Sequence, residues 1–215
     1  MNVAIIGTGN VGGALGSSLS RAGHNVTFYS RDEQKTADMA TANDATSADS
    51  AVHAVENADV IVLAVPYGAL AGVTHEIGSA ADGKVVIDTT NPLKADMSGV
   101  ATASGDSAAE EIAHELTGAH VAKAFNTVFA GVQAHPQAKD ITPDALFAAD
   151  DDEARAAVAT LAESIGFRPV YVGPLAAARE LEALAFLNIR MQVLNGGAWN
   201  TSINLVDAPA RALAA

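Results

Sequence analysis

Six residues near the start of the chain, Gly7-Thr8-Gly9-Asn10-Val11-Gly12, restrict its fold more than any other stretch. Glycine clusters are ordinary in turns, so the spacing alone says little. The setting says more. The apolar run Val3-Ala4-Ile5-Ile6 reads as a short buried strand, and Val11, Leu15, Leu19 and Ala22 then recur at helical spacing until Gly23-His24 closes the helix. A G-x-G-x-x-G sequence between a buried strand and an amphipathic helix is the pattern of a dinucleotide-binding turn. There the first glycine permits the tight turn, the second admits a pyrophosphate to the backbone, and the third lets helix pack on strand. The free N–H groups and positive end of the helix supply the attraction.

The end of the second strand narrows the ligand. A site for the unphosphorylated dinucleotide usually carries Asp or Glu there to accept from the adenosine ribose. This strand, Val26 to Tyr29, runs instead into Ser30-Arg31, with Lys35 one helical turn later. A hydroxyl and two cations suit a 2′-phosphate, Arg31 through its planar fork and Lys35 as a point charge. Asp32 stands against that reading in part. The expectation is NADP(H) in preference to NAD.

The rest of the chain repeats the alternation of apolar runs and amphipathic stretches. Further strands are expected at Asp59–Val65 (with the run Val60-Ile61-Val62-Leu63, stopped by Pro66), Val85–Ile87, His120–Ala124, Ala145–Ala148 and Val170–Val172. Residues 94–106 read as a Gly/Ser/Ala surface loop. Ser107 with Glu110 fits a capping box for a helix reaching about Leu116. The acidic cluster Asp150 to Glu153 resembles a metal site at first sight, but carboxylates favour the positive end of a helix dipole, and it reads as the start of a helix ending near Ile165. From Leu175 the spacing is helical, with Leu181, Leu184, Leu187, Met191 and Leu194 on one stripe. Strands separated by helices imply an α/β fold, a doubly wound Rossmann-type parallel sheet with a small C-terminal helical segment. The division expected is a dinucleotide-binding domain over 1–173 and an appended segment over 174–215.

Composition excludes several functions. The 215 residues carry a net charge of −13, which argues against a nucleic acid or an anionic membrane as partner. There is no cysteine, so disulfides, thiol catalysis and thiolate metal sites are ruled out. No apolar run approaches the length of a membrane span, and Met1-Asn2 leads straight into a strand without a basic, cleavable leader. A cytoplasmic protein is expected. The six histidines are scattered, with no H-E-x-x-H, and no metal site is expected.

Ligands of open α/β sheets lie beyond the carboxyl ends of the strands. That directs attention to Val65-Pro66-Tyr67, Thr89-Thr90-Asn91-Pro92 and Phe125-Asn126-Thr127, which offer small or amide-bearing groups to a ribose and a carboxamide. None pairs a nucleophile with a base, so no catalytic acid, base or nucleophile is expected. Trp199 reads as a packing residue rather than a stacking platform.

Taken together, the glycine loop, Ser30-Arg31 with Lys35, Val65-Pro66-Tyr67, Thr90-Asn91-Pro92-Leu93, Lys123-Ala124-Phe125-Asn126-Thr127, Gly173-Pro174-Leu175 and the tail Leu187-Asn188-Ile189-Arg190 with Asn195-Gly196 resemble the F420-dependent NADP oxidoreductase family. The resemblance implies hydride exchange between NADP(H) and coenzyme F420, a deazaflavin. It places Thr8 to Val11 on the pyrophosphate and Ser30, Arg31 and Lys35 on the 2′-phosphate. Val65 and Ala130 come at the nicotinamide end, with Pro66 and the Asn91 and Asn126 loops nearby. The family's deazaflavin reductases often carry an extra glycine in the phosphate loop and His-Thr in place of Asn126-Thr127. The Phe-Asn-Thr version is also similar to the NADPH-oxidising domains of membrane ferric reductases, so a flavin stands beside F420 as acceptor.

Hydride transfer between stacked rings needs positioning and exclusion of water, without a nucleophile. A hydroxy-acid dehydrogenase of this architecture would need a larger second domain than the segment from Pro174 offers. A non-catalytic NADPH sensor makes as few demands on side chains. The apolar stripe Leu184, Leu187, Met191 and Leu194 has little of its own chain to cover it, and a homodimer through this helix is expected.

Overall fold

The computed structural model describes residues 1–102, 105–138 and 140–206; residues 103–104 of the expected surface loop and 207–215 of the expected C-terminal segment lie outside it. Its frame is an eight-stranded sheet with the order β3-β2-β1-β4-β5-β6-β7-β8. The strands are β1 (Asn2–Ile6), β2 (Asn25–Tyr29), β3 (Thr46–Ser47), β4 (Val60–Leu63), β5 (Val85–Asp88), β6 (His120–Ala124), β7 (Asp144–Ala149) and β8 (Arg168–Gly173). The helices are α1 (Asn10–Arg21), α2 (Glu33–Ala42), α3 (Ala51–Val55), α4 (Leu70–Ile77), α5 (Ala108–Glu115), α6 (Ala130–Ala134), α7 (Asp152–Ser164) and α8 (Ala178–Asn195).

Successive residues of a strand face opposite sides, and the sequence uses that period to fill two cores. Val3, Ile5, Val26, Phe28, Val60, Val62 and Ile87 pack with Leu15 and Leu19 of α1 and with Val158 and Leu161 of α7. Ala4, Ile6, Ile61, Leu63 and Val86 pack on the other side with α3, α4 and α5. The doubly wound sheet is therefore as expected, with one amendment: β6 and β7 pair antiparallel. A parallel return needs a crossover of a dozen or more residues, usually a long helix. The link between these strands is long enough, but its described residues form only the five-residue α6 and a 3₁₀ turn, with no long helix to carry the chain back across the sheet.

Caps fix the ends of the helices. Ser107 and Glu110 form the expected reciprocal box at α5. The acidic cluster opens α7, Asp151 accepting from the Ala154 N–H at 2.8 Å. Asp32 caps α2 in the same way, accepting from the Lys35 N–H at 3.0 Å.

The helix α8 leaves most of the expected apolar stripe uncovered by the described residues. Ala178, Leu181 and Ala185 are buried and Leu184 half-buried, but the same inward face carries Glu182, Asn188 and Gln192. Leu187, Met191 and Leu194 of the apolar stripe are 54%, 45% and 73% exposed. The buried polar residues have partners within the fold, and those partners set which face of the helix turns inward.

Candidate functional site

The order of strands reverses at β1, whose neighbours are β2 on one side and β4 on the other. The loops leaving β1 and β4 diverge there and open a crevice at the carboxyl edge, the place where sheets of this kind take ligands. Gly7 has φ +114°, and a Cβ on it would lie 2.3 Å from the Ala64 carbonyl oxygen. A Cβ on Gly12 would lie 1.9 Å from the Gly7 oxygen. The third glycine thus brings the start of α1 against the turn itself. A Cβ on Gly9 would meet nothing within 4 Å, which leaves the centre of the loop open to a ligand. Gly9 is also the N-cap of α1 and supplies no side-chain acceptor, so the first N–H groups of the helix stay available to an anion.

Two clefts meet at this loop. The first, about 630 Å³, is lined by Gly7, Thr8, Gly9, Ser30, Arg31, Lys35, Val65 and Pro66 among others. Its floor is ordered by hydroxyls: Thr8 Oγ1 donates to Ser30 Oγ at 2.9 Å, and Ser30 Oγ lies 2.8 Å from Thr36 Oγ1. Thr36 Oγ1 donates in turn to the Asp32 carbonyl at 2.8 Å. Among the described residues neither Arg31 nor Lys35 forms an ion pair. Asp32, which by charge alone would weaken an anion site, has its Oδ1 committed to capping α2.

The second cleft, about 640 Å³, takes Asn10, Val11, Asn91, Asn126 and Ala130 from the expected set. It also takes Thr89 of the expected loop after β5, and adds residues that the sequence did not single out for binding: Phe129, Asn188, Ile189 and Trp199. Asn91 Nδ2 donates to the Asn126 carbonyl at 3.0 Å, and Asn126 Nδ2 donates to Asn91 Oδ1 at 3.1 Å and to the Leu181 carbonyl at 3.1 Å. These bonds lock the two loops together and leave Asn126 Oδ1 and Thr90 Oγ1 buried without a partner. Val65 and Ala130, which the sequence reading places together, line different clefts. Tyr67 lines neither. Its hydroxyl donates to Glu111 at 2.9 Å, and burial together with that carboxylate pushes its pKa up to about 12. That ties the loop after β4 to α5.

Beneath the second cleft lies a charged cluster. Lys123 Nζ donates to Asp88 Oδ2 at 2.7 Å, to the Thr90 carbonyl at 2.7 Å and to Glu182 Oε1 at 2.8 Å. The three side chains are 0%, 0% and 1% exposed. Glu182 Oε1 also accepts from the Ala108 N–H at 2.9 Å, so one carboxylate joins α8, β6 and the start of α5. Burial raises the Glu182 carboxyl above its ordinary range, and Lys123 only partly opposes this. A signal for this cluster exists in the sequence: Asp88 and Lys123 interrupt apolar strands, and Glu182 stands among Leu and Ala. Among the described residues no group of three or more His, Asp or Glu gathers as a metal would need, and no helix is long and apolar enough to cross a membrane.

Comparison with known proteins agrees with this geometry. Residues 2–92 match the family described as NADP oxidoreductase, coenzyme F420-dependent. The F420-dependent NADP reductase of Methanothermobacter thermautotrophicus is 35% identical, the match covering 92% of this chain and 93% of that protein. The metalloreductase STEAP3 of Rattus norvegicus is 30% identical over 85% of this chain, which spans 36% of its length. Among solved structures, a candidate F420-dependent NADP-reductase from Arthrobacter sp. FB24 superposes with a TM-score of 0.84 at 26% identity, covering 95% of this chain and 100% of that one.

Proposed function

From the membership of this chain in the coenzyme F420-dependent NADP oxidoreductase family, to which its likeness over nearly its whole length assigns it, we propose how its own residues serve that chemistry. The protein is an NADP(H)-dependent oxidoreductase that exchanges hydride with coenzyme F420. The observation that carries this reading is the pair of clefts meeting at the uncapped start of α1, one with two unpaired cations and one with amides and apolar walls. The nicotinamide and the deazaflavin supply the redox chemistry, a hydride passing from one ring carbon to the other.

The protein supplies position. Thr8, Gly9, Asn10 and Val11 present backbone N–H groups to the pyrophosphate, with Gly7 and Gly12 holding the loop in shape. The first cleft takes the adenosine end. Ser30, Arg31 and Lys35 hold the 2′-phosphate, Ser30 set in place by Thr8 and Thr36. Val65 and Pro66 form the opposite wall. The second cleft takes the rings, Asn91 and Asn126 facing the carboxamide and Ala130 leaving room for a flat partner. The partnerless Asn126 Oδ1 is suited to an amide N–H. Two rings held at roughly 3–3.5 Å in a site shielded from water need no side-chain acid or base.

The 1–173 portion would carry the dinucleotide and the segment from Pro174 the acceptor wall. That segment would also form the homodimer, because Leu187, Met191 and Leu194 expose an apolar strip that the described residues leave uncovered. Stopped-flow oxidation of NADPH tests the reading. Rapid turnover with coenzyme F420 and slower turnover with FMN is expected. Tight NADPH binding without turnover on either ring would make the protein a sensor and overturn it.

A further inference from the structure

The single tryptophan of the chain sits on the lining of the second cleft, and its packing against Phe129 covers only part of it. Trp199 is 46% exposed and has φ +54°, the left-handed region that bulky residues avoid unless their surroundings hold them there. The holding groups are the polar residues that α8 turns inward. Gln192 Oε1 accepts from the Trp199 N–H at 3.3 Å, and Gln192 Nε2 donates to Thr201 Oγ1 at 3.1 Å. Thr201 Oγ1 donates to Asn188 Oδ1 at 2.9 Å. Gly197 is needed for this clasp, since a Cβ there would lie 2.0 Å from Gln192 Oε1. The backbone between the glycine and Thr201 is therefore pinned across the mouth of the cleft, with the indole standing edge-on to Phe129 at 5.4 Å and 83°.

We infer that Trp199 is a specificity-determining residue for the hydride acceptor: with Phe129 it forms an aromatic corner that receives a flat, fused-ring molecule beside the nicotinamide. The inference rests on the proposed function, in that it needs the acceptor in the second cleft. Two rings at right angles offer a face and an edge to a third ring at once, which matches the offset and edge-to-face geometries that aromatic systems prefer. A corner open on one side admits a planar tricycle and gives a compact, non-planar substrate little to pack against. The Gln192–Thr201–Asn188 clasp is then the reason α8 buries polar side chains here. It keeps the indole from collapsing onto the cleft it borders.

Because this is the sole tryptophan, its emission reports on the site directly. Coenzyme F420 added to the NADP⁺-saturated protein is expected to quench Trp199, saturating with the same midpoint as turnover. Trp199→Leu should raise the KM for coenzyme F420 about tenfold, the scale of a lost ring–ring contact with its buried area. The Kd for NADPH and the melting temperature should not change. Trp199→Phe should recover most of the loss, and Gln192→Ala, which frees the clasp, should reproduce part of it. Normal turnover with coenzyme F420 and an unchanged KM in Trp199→Leu, or no quenching in the unaltered protein at saturating F420, would overturn the inference and leave the proposed function standing. Failure of the unaltered protein to bind or reduce any ring acceptor would instead overturn the proposed function, and this inference with it.

Discussion

Replacing Lys123 by methionine tests the cluster beneath the second cleft. Methionine keeps the length and apolar stem of the side chain and removes its charge and donors. The ammonium makes three bonds of 2.7–2.8 Å, two to carboxylates and one to the Thr90 carbonyl, with no solvent contact on any of the three side chains. Removing one partner of a buried ion pair costs about 3–5 kcal/mol, because the charge left behind is neither solvated nor neutralised. Here two carboxylates are left, one of which can relax by taking a proton. Glu182 is that one, since burial already raises its carboxyl. The expected loss in Lys123→Met is therefore about 3–4 kcal/mol at neutral pH, equivalent to roughly 6–16 °C in melting temperature for a domain of this size.

The sign of the pH dependence follows from the same carboxyl. A group whose folded pKa is raised contributes its stability in the protonated form, fully below its unfolded value and lost as the pH climbs through the folded one. Without Lys123 the Glu182 carboxyl rises further, so the deficit of the variant should be smaller at pH 5 than at pH 8. Adding Asp88→Asn and Glu182→Gln removes the stranded charges and should restore much of the stability, as neutral replacements of buried ion clusters do. Thermal and urea unfolding by circular dichroism measure both. A loss below about 1 kcal/mol, or a triple variant no more stable than the single, would refute the claim that these buried charges depend on one another.

The glycine loop allows a cleaner separation of folding from binding. Gly12→Ala, with its Cβ forced onto the Gly7 carbonyl, should lower both melting temperature and NADPH affinity; Gly9→Ala, whose Cβ meets nothing in the protein, should lower only the affinity, as read by NADPH fluorescence titration. Arg31→Ala should weaken NADPH about 10- to 100-fold by loss of charge-assisted bonds and leave NADH unchanged, and calorimetry at two salt concentrations checks it. Glu110 gives the opposite pH sign to Glu182: burial would raise its carboxyl, but the Arg179 fork and the Ser107 bonds outweigh burial and bring it below the usual 4.5. Its contribution should be present above that value and fade as the pH falls through the folded one, so Glu110→Gln should flatten the acid limb of the urea midpoint. Leu187→Glu with Leu194→Glu should convert a dimer at micromolar concentration into a monomer by light scattering, with melting little changed because both side chains are exposed.

What could be read from the sequence follows from where each signal is written. The strands β1, β2, β4, β5 and β6, the capping box at Ser107 and the acidic start of α7 are local patterns, in which neighbouring residues carry the whole instruction. The two-residue β3 has no period to detect, and it exists because β2 offers it an edge. The antiparallel turn into β7 is set by the shortness of α6, a tertiary circumstance. That the glycine loop and the cations at Arg31 and Lys35 share one cleft was legible because a strand, a turn and a helix stand in sequence order. The second cleft was only half legible. Asn91, Asn126 and Ala130 end or follow strands, but Asn188, Ile189 and Trp199 reach it from more than fifty residues downstream.

The inward face of α8, which the spacing did not disclose as polar, shows why. Hydrophobic spacing assigns the buried side of a helix on the assumption that the surface it meets is apolar. This helix meets a surface that is not: Lys123 with its surplus of donors, the unfilled N–H of Ala108 at the start of α5, and the Thr127 carbonyl at the end of β6. Leaving such a buried group without a partner costs about 1–3 kcal/mol, more for the charged Lys123, which offsets what a leucine gains by burial, so Glu182 and Asn188 turn inward and Leu187 and Leu194 turn out. In the function proposed above, the polar stripe on one side would steady the acceptor cleft, and the apolar stripe on the other would meet a second copy of the chain. Both would follow from a single choice of helix face, so Glu182→Leu should disturb the cleft and the dimer together, whereas Leu194→Glu should disturb the dimer alone. Deazaflavin turnover and light scattering on the same two variants decide it. A Glu182→Leu protein that stays dimeric and fully active would show the two faces to be independent.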